Sequence, residues 1–389
     1  MREDFLLLNP GPVPITRPVR RAMDAPMVSH RSAEFEAIYE RAQDGLDYVF
    51  RRSTPDEAIT NEAGTSLVLN GTATMGMEAA VANLVDADSE VVALVNGKFG
   101  RRFARVAERY ATVTRVEVDW GNAFDMAAVE AAIDDDTDVV TMVHNETSTG
   151  LLNPVETVGT LTDDHDAHFV VDGVTSIGGD EFRIDDWHVD IAVTDAQKAL
   201  AAPPGISAMY VTDRAAAAID GDQAPFYEDL DWYLRKADAN QTPFTSAVPL
   251  FRALATAVEQ IREEGMAARI DRHRRQAAAF REGFTRMGLE GFPVVEGPTE
   301  YSNTVTAVSL PASVRENPTA FFDAVADRGV SISGGQAHLG GQIFRVSNMG
   351  NLTAQQVLRG VRTIGEAMTD VGVDVDTQAG VEAARERLQ

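Results

Sequence analysis

Lys198 and Asp172 are the two residues best placed to do chemistry. The chain has only three lysines in 389 residues, Lys98, Lys198 and Lys236, although lysine is normally among the commonest residues. Lys198 lies in VTDAQKALAAPPG, just past the apolar run Ile191-Ala192-Val193-Thr194. Asp172 closes a second strand-like run, Phe169-Val170-Val171. An amine and a carboxylate, each at the end of a buried strand, suit a pyridoxal phosphate (PLP) site. Such a site needs a Schiff-base lysine and an acid facing the pyridine nitrogen.

Four further segments have two readings each. Asn70-Gly71-Thr72-Ala73-Thr74 joins a strand to a helix, where glycine allows a tight turn and the helix's free N–H groups face an anion; Thr72 also suits a simple N-cap. Phe99, after Asn96-Gly97-Lys98, is either a stacking surface for a planar ring or a core anchor. The run from His144 to Gly150, HNETSTG, packs hydrogen-bonding groups into one loop, or is a turn bonded to its own backbone. Arg345 interrupts the apolar strand Gln342–Ser347; a partly buried guanidinium needs an anion, either a substrate carboxylate or an internal ion-pair partner.

These residues need elements to position them. Apolar runs at 65–70, 91–95, 112–118, 139–143, 168–172, 190–194 and 207–212 alternate with helical patterns at 31–50, 72–85, 99–110, 125–133 and 154–164. In 31–50, Phe35, Ile38, Leu46 and Val49 fall at helical spacing. Repeated β-α-β units predict an α/β fold, a mainly parallel seven-stranded sheet covered by helices, with ligands beyond the carboxyl ends of its strands. After an irregular segment at 214–249 the spacing predicts one long helix over 250–288, then strand 304–309, helix 318–328, strand 342–347 and helix 353–369, a smaller C-terminal α+β domain. The end of the chain reads as a polar tail with a short helix.

Composition narrows the classes. Net charge is −26, from 60 acidic against 34 basic residues, which argues against nucleic acid and anionic membranes as partners. The absence of cysteine removes disulfides, thiolate zinc sites and a persulfide carrier. His165 and His168 have metal-ligand spacing but no third ligand nearby, so no metal is expected. Phe5–Leu8 is too short for a signal segment, and no run approaches a membrane span; the expected location is the cytoplasm. No GxGxxG or P-loop is present to support a nucleotide-dependent redox enzyme.

Together the segments NPGPVP, SHRSAEF, NGTATMGMEAA, NGKFGRR, HNETSTGLLNP, VVDGVTSIGG, DAQKALAAPPG, NQTPFTSAVP and FRVSNMG carry a resemblance. The chain resembles class V, fold-type I PLP aminotransferases of the alanine–glyoxylate/serine–pyruvate kind, over nearly its whole length. The resemblance implies PLP as cofactor, with Lys198 as its carrier and proton shuttle and Asp172 as the acid at the ring nitrogen. It puts Phe99 and Val174 on the two ring faces and a hydroxyl contact at Thr147. Phosphate-binding positions fall at Thr72, Ala73 (in place of a frequent Gly), Thr74 and Gln197. It makes Arg345 the α-carboxylate clamp and puts the Gly11-Pro12 loop against the substrate side chain, favouring alanine, serine or glycine with glyoxylate or pyruvate. Arg31 is the candidate for a distal carboxylate, which keeps aspartate or an aminophosphonate open. Thr245, with Phe244 beside it, would reach the phosphate of a partner subunit, which implies a homodimer. The implied division is an N-terminal arm and substrate loop at 1–20, a large PLP-binding domain at 21–250, a small domain at 251–370 and the polar tail at 371–389. A PLP-dependent lyase on the same scaffold, or a non-enzymatic relative, are the rival readings.

The dispersed acidic surface fits a protein kept in concentrated salt, where screening relieves self-repulsion. The melting temperature is therefore expected to fall as salt is lowered from molar to millimolar; an unchanged melting point would refute the reading.

Overall fold

The computed structural model describes residues 5–60, 63–221 and 224–389. The first four residues of the expected N-terminal arm, and 222–223 of the segment 214–249, lie outside them. The expected seven-stranded sheet is present. Its strands are β1 (Thr65–Asn70), β2 (Glu90–Val95), β3 (Thr112–Glu117), β4 (Val139–Val143), β5 (His168–Asp172), β6 (Ile191–Asp195) and β7 (Ile206–Val211). They lie in the order β1-β7-β6-β5-β4-β2-β3. Five strands, β6 to β3 along that order, run parallel, and β7 is antiparallel to both its neighbours. Strands β4, β6 and β7 are buried throughout, as is β5 beyond its first residue His168, which is why they read as continuous apolar runs without alternation.

The register aligns Val143 with Asp172 and Asp172 with Val193. The chain therefore leaves β4, β5 and β6 at one common edge. Helix α1 (Ala33–Arg52) begins at Ser32, whose side chain accepts the Phe35 N–H. It buries Phe35, Ile38, Leu46 and Val49, as its spacing predicts. Helices α2 (Ala73–Ala82) and α3 (Lys98–Ala107) follow β1 and β2 directly.

The single helix expected over 250–288 is two: α4 (Val248–Glu264) and α5 (Met266–Arg286). Gly265, at φ +83°, ends the first by donating its N–H to the Ile261 carbonyl. A β-carbon there would stand 2.8 Å from Glu57 Oε1. Periodicity alone does not register such a break, because the apolar residues stay in phase across it. Phe251, Leu254, Val258 and Ile261 of α4 join the core built on the large sheet, so the changeover to the second core comes within α5, later than residue 250.

That second core surrounds a three-stranded antiparallel sheet, β8 (Val305–Ser309), β10 (Ile343–Ser347) and β9 (Ser333–Gly334) in spatial order. It takes in Phe280, Phe284, Phe321, Phe344, Val357 and Met368. Two segments join it that composition did not place there. Leu6 and Leu8 are buried in it, and Leu6–Leu7 pairs in parallel with Val330–Ser331. The expected polar tail contains α6 (Thr377–Arg387), whose Val381 and Ala384 are buried against the same cluster; a helix with so few apolar residues is easily read as solvent-facing. Among the described residues no helix is long and apolar enough to cross a membrane.

Helices α1 and α4 meet at Gly45, where a β-carbon would lie 2.1 Å from Val258 Cγ2. Alanine in place of glycine returns about 1 kcal/mol of helix propensity, while forced overpacking costs about 1–3 kcal/mol. Gly45→Ala is therefore expected to lower the melting temperature, and Val258→Ala in the same chain to restore part of the loss. Simple addition of the two losses in thermal melts would count against this contact.

Candidate active site

Most of the groups singled out in the sequence arrive at one edge of the sheet because they end or follow a strand of the large sheet. Asp172 is the last residue of β5, and Gln197 and Lys198 follow β6. Phe99 opens α3 after β2, and Thr72 is the N-cap of α2 after β1. Thr147 lies in the loop after β4, and Arg345 reaches the same edge from the middle of β10.

The Lys198 amine donates to the Pro10 carbonyl and stands 5.9 Å from the centroid of the Phe99 ring. Val13 N–H donates to the Gln197 carbonyl at 3.0 Å, fixing the N-terminal loop over the lysine. At Gly11, φ +103°, a β-carbon would lie 2.6 Å from Lys198 Cδ, so glycine is required by both space and backbone. Burial lowers the Lys198 pKa to about 8, against the opposing pull of Asp172 and Asp195. Burial raises Asp172 to about 7, although the Val174 N–H donates to its Oδ1 at 2.9 Å. Val174 is itself buried.

Arg345 is 3% exposed. Its Nη1 donates to the Thr147 carbonyl at 2.8 Å, and its Nε and Nη2 donate to the Gly334 carbonyl at 3.1 and 2.8 Å. No carboxylate lies within ion-pair distance of it among the described residues, so the internal ion-pair reading does not hold. Burial lowers its pKa to about 10, and an arriving anion would relieve that cost.

The loop after β4 is partly the self-bonded turn of the alternative reading. Ser148 Oγ donates to Glu146 Oε1 at 2.5 Å, and Thr147 Oγ1 pairs with Thr175 Oγ1 at 2.8 Å. Sequence reasoning gave Glu146 no role. It is fully buried, and its Oε2 accepts the N–H groups of Phe99 and Gly100 at 3.0 and 3.1 Å. It thereby caps α3 and holds Phe99 in place. The available signal was Gly97, where a β-carbon would sit 2.2 Å from Glu146 Cγ. His144 is buried with Nδ1 2.9 Å from Ser176 Oγ, and burial lowers its pKa to about 3, so it packs as a neutral ring against Phe182 and Trp187.

At the start of α2, Thr72 makes no side-chain capping bond. The Ala73 N–H and the Gln197 side-chain amide both donate to Asp195 Oδ2, at 3.0 and 2.6 Å. Thr74 Oγ1 accepts from Arg102 at 2.8 Å. Arg31 does not reach this edge within the chain: it donates to Gln241 Oε1 and to the carbonyls of Thr242 and Pro243. Those bonds fix the segment that presents exposed Thr245, whose carbonyl accepts from Asn70 at 3.4 Å. Of the two histidines with ligand spacing, His165 pairs with Asp135 and His168 lies beside Asp190.

The family model "Aminotransferase class-V" matches residues 20–359. The chain belongs to the class V aminotransferases. It is 36% identical to an uncharacterized aminotransferase of Methanocaldococcus jannaschii, over 98% of this chain and 97% of that protein. It is 32% identical to the L-aspartate–glyoxylate aminotransferase of Paracoccus denitrificans, over 98% and 95%. The solved pyridoxamine–pyruvate aminotransferase of Mesorhizobium loti superposes with a TM-score of 0.90 at 29% identity, covering 98% and 96%. The fold is that of the fold-type I PLP aminotransferases, and PLP is the cofactor.

The residues present fit that cofactor. The uncapped helix start at Thr72 and the Gln197 side-chain N–H group suit the phosphate end, and Lys198, Asp172 and Phe99 suit the ring. One residue departs from the fit, the carboxylate of Asp195 among the phosphate donors.

A carboxyl group whose folded pKa is raised favours the folded state at low pH and loses that contribution as pH rises through about 7. In cofactor-free protein, Asp172→Asn is expected to be more stable than the parent at pH 8 by about 2–4 kcal/mol, with the gain gone near pH 4. Denaturant melts at the two pH values check this.

Proposed function

We propose that this aminotransferase moves the amino group of a small amino acid, alanine or serine, to glyoxylate or pyruvate in a two-stage, ping-pong cycle. The observation that carries the reading is the convergence on one sheet edge of an enclosed amine, a buried carboxylate and a guanidinium with no anionic partner. Bound PLP supplies the electron-accepting ring. Lys198 takes the proton from the substrate α-carbon and returns one on the other side of the transfer; it acts as a base only when neutral, which its burial favours. Asp172 holds a proton at the ring nitrogen. Phe99 and Val174 confine the ring, and Thr147 offers a hydroxyl at its edge. Thr72, Ala73, Thr74 and Gln197 hold the phosphate end. Arg345 takes the substrate α-carboxylate in its two-pronged geometry, and the Gly11-Pro12 loop lies against the substrate side chain.

A second donor, aspartate, is supported by the name of the Paracoccus relative. Its distal carboxylate would need a cation such as Arg31. That side chain travels with the segment carrying Thr245, so it would serve a site only across the interface of a homodimer, as Thr245 would.

Adding alanine, serine, glycine and aspartate in turn to the loaded enzyme in molar salt discriminates these readings. A band near about 420 nm moving to about 330 nm with alanine or serine supports the proposal. The shift with aspartate alone favours the second donor, and a steady band with ammonia released favours a lyase. Arg345→Lys is expected to raise KM about 10- to 100-fold, and Lys198→Ala to lower kcat by 10²-fold or more, about the range for loss of a positioned base.

A further inference from the structure

Asp195 ends β6 three residues before Lys198 and is 2% exposed. Its Oδ2 draws together the first backbone N–H of α2 and the side-chain amide of Gln197. Those two donors come from different elements and point at a single oxygen, as they would at an oxygen of a phosphate. Its Oδ1 is buried without a hydrogen-bond partner, as is Gln197 Oε1. A carboxylate thus occupies the anion point of a ten-residue helix in a site whose cofactor brings its own dianion.

We propose that Asp195 is a resident competitor for the cofactor's phosphate. It holds the phosphate donors when the cofactor is absent and takes up a proton when the dianion enters, so that the site discriminates weakly between PLP and its unphosphorylated form, pyridoxal. The inference rests on the PLP reading of the site. The charged groups facing Asp195 are few. Lys198, in the turn after β6, favours the carboxylate, while Asp172 at the end of β5 repels it. From α2 the contact is the Ala73 backbone alone, and Arg102 of α3 is bonded to Thr74. From β7 the neighbour is the uncharged Ser207. No cation is paired with Asp195 among the described residues, so a second anion beside it has little to offset the repulsion. Burial already raises its pKa, which eases the proton uptake.

The test uses cofactor-free full-length protein titrated separately with PLP and pyridoxal, following the Schiff-base band, for the parent, Asp195→Asn and Asp195→Gly. Asparagine keeps an acceptor for the Ala73 N–H and removes the charge. At pH 8.5 both variants are expected to bind PLP at least about tenfold more tightly than the parent, with pyridoxal affinity little changed. Calorimetry of the parent at pH 8 in two buffers of different ionisation heat is expected to show about one more proton taken up with PLP than with pyridoxal. An equal affinity ratio in parent and variants, or equal proton uptake for both ligands, overturns the proposal. The calorimetry needs no variant, so a variant that fails to fold leaves the question answerable. Absence of a band with either ligand would instead overturn the PLP reading itself.

Discussion

A single buried carboxylate ties the site together. Glu146, in the loop after β4, accepts the Phe99 and Gly100 N–H groups of α3 through one oxygen and the Ser148 N–H and hydroxyl through the other. A carboxylate in such a setting is costly unless each lone pair is satisfied, and here helix and loop supply the donors. The bond network fixes where α3 begins, hence where Phe99 lies. It also fixes the loop whose Thr147 carbonyl receives Arg345 from the second core. Phe99, the loop and the guanidinium are thus held in register by one group.

The electrostatics of the edge are those of a site poised for an incoming charge. Lys198, Asp172 and Arg345 each have their charged form disfavoured by burial. The attraction between Asp172 and Lys198 does not cancel that cost, because no direct ion pair joins them and Arg345 repels the lysine. Strain of this kind recurs where catalysis needs groups near neutrality.

The inner strands were legible because burial on both faces leaves continuous apolar runs, and Asp172 and Lys198 because they end or closely follow such runs. Roles that depend on a partner far along the chain were not legible. Glu146 looks like one polar residue among several in HNETSTG, and its meaning comes from the N–H groups of Phe99 and Gly100. Asp195 reads as a strand's end until α2 is seen to point at it. The helix break at Gly265 was hidden because a left-handed residue costs one position and leaves the apolar phase intact. Leu6 and Leu8 formed too short a run to announce a strand; pairing with Val330–Ser331 makes them one.

That pairing has a bearing on how the protein is made. Leu6–Leu7 docks against a strand translated more than three hundred residues later, and Asn9 bonds Ser333, 324 positions away. The segment held by these contacts is the one that places Gly11 over the Lys198 amine. At about 5–20 residues per second of synthesis, the segment Leu6–Asn9 cannot take up these contacts until Val330–Ser333 has been made. A chain terminated before Val330 therefore carries the lysine but not the strand that seats Gly11 over it.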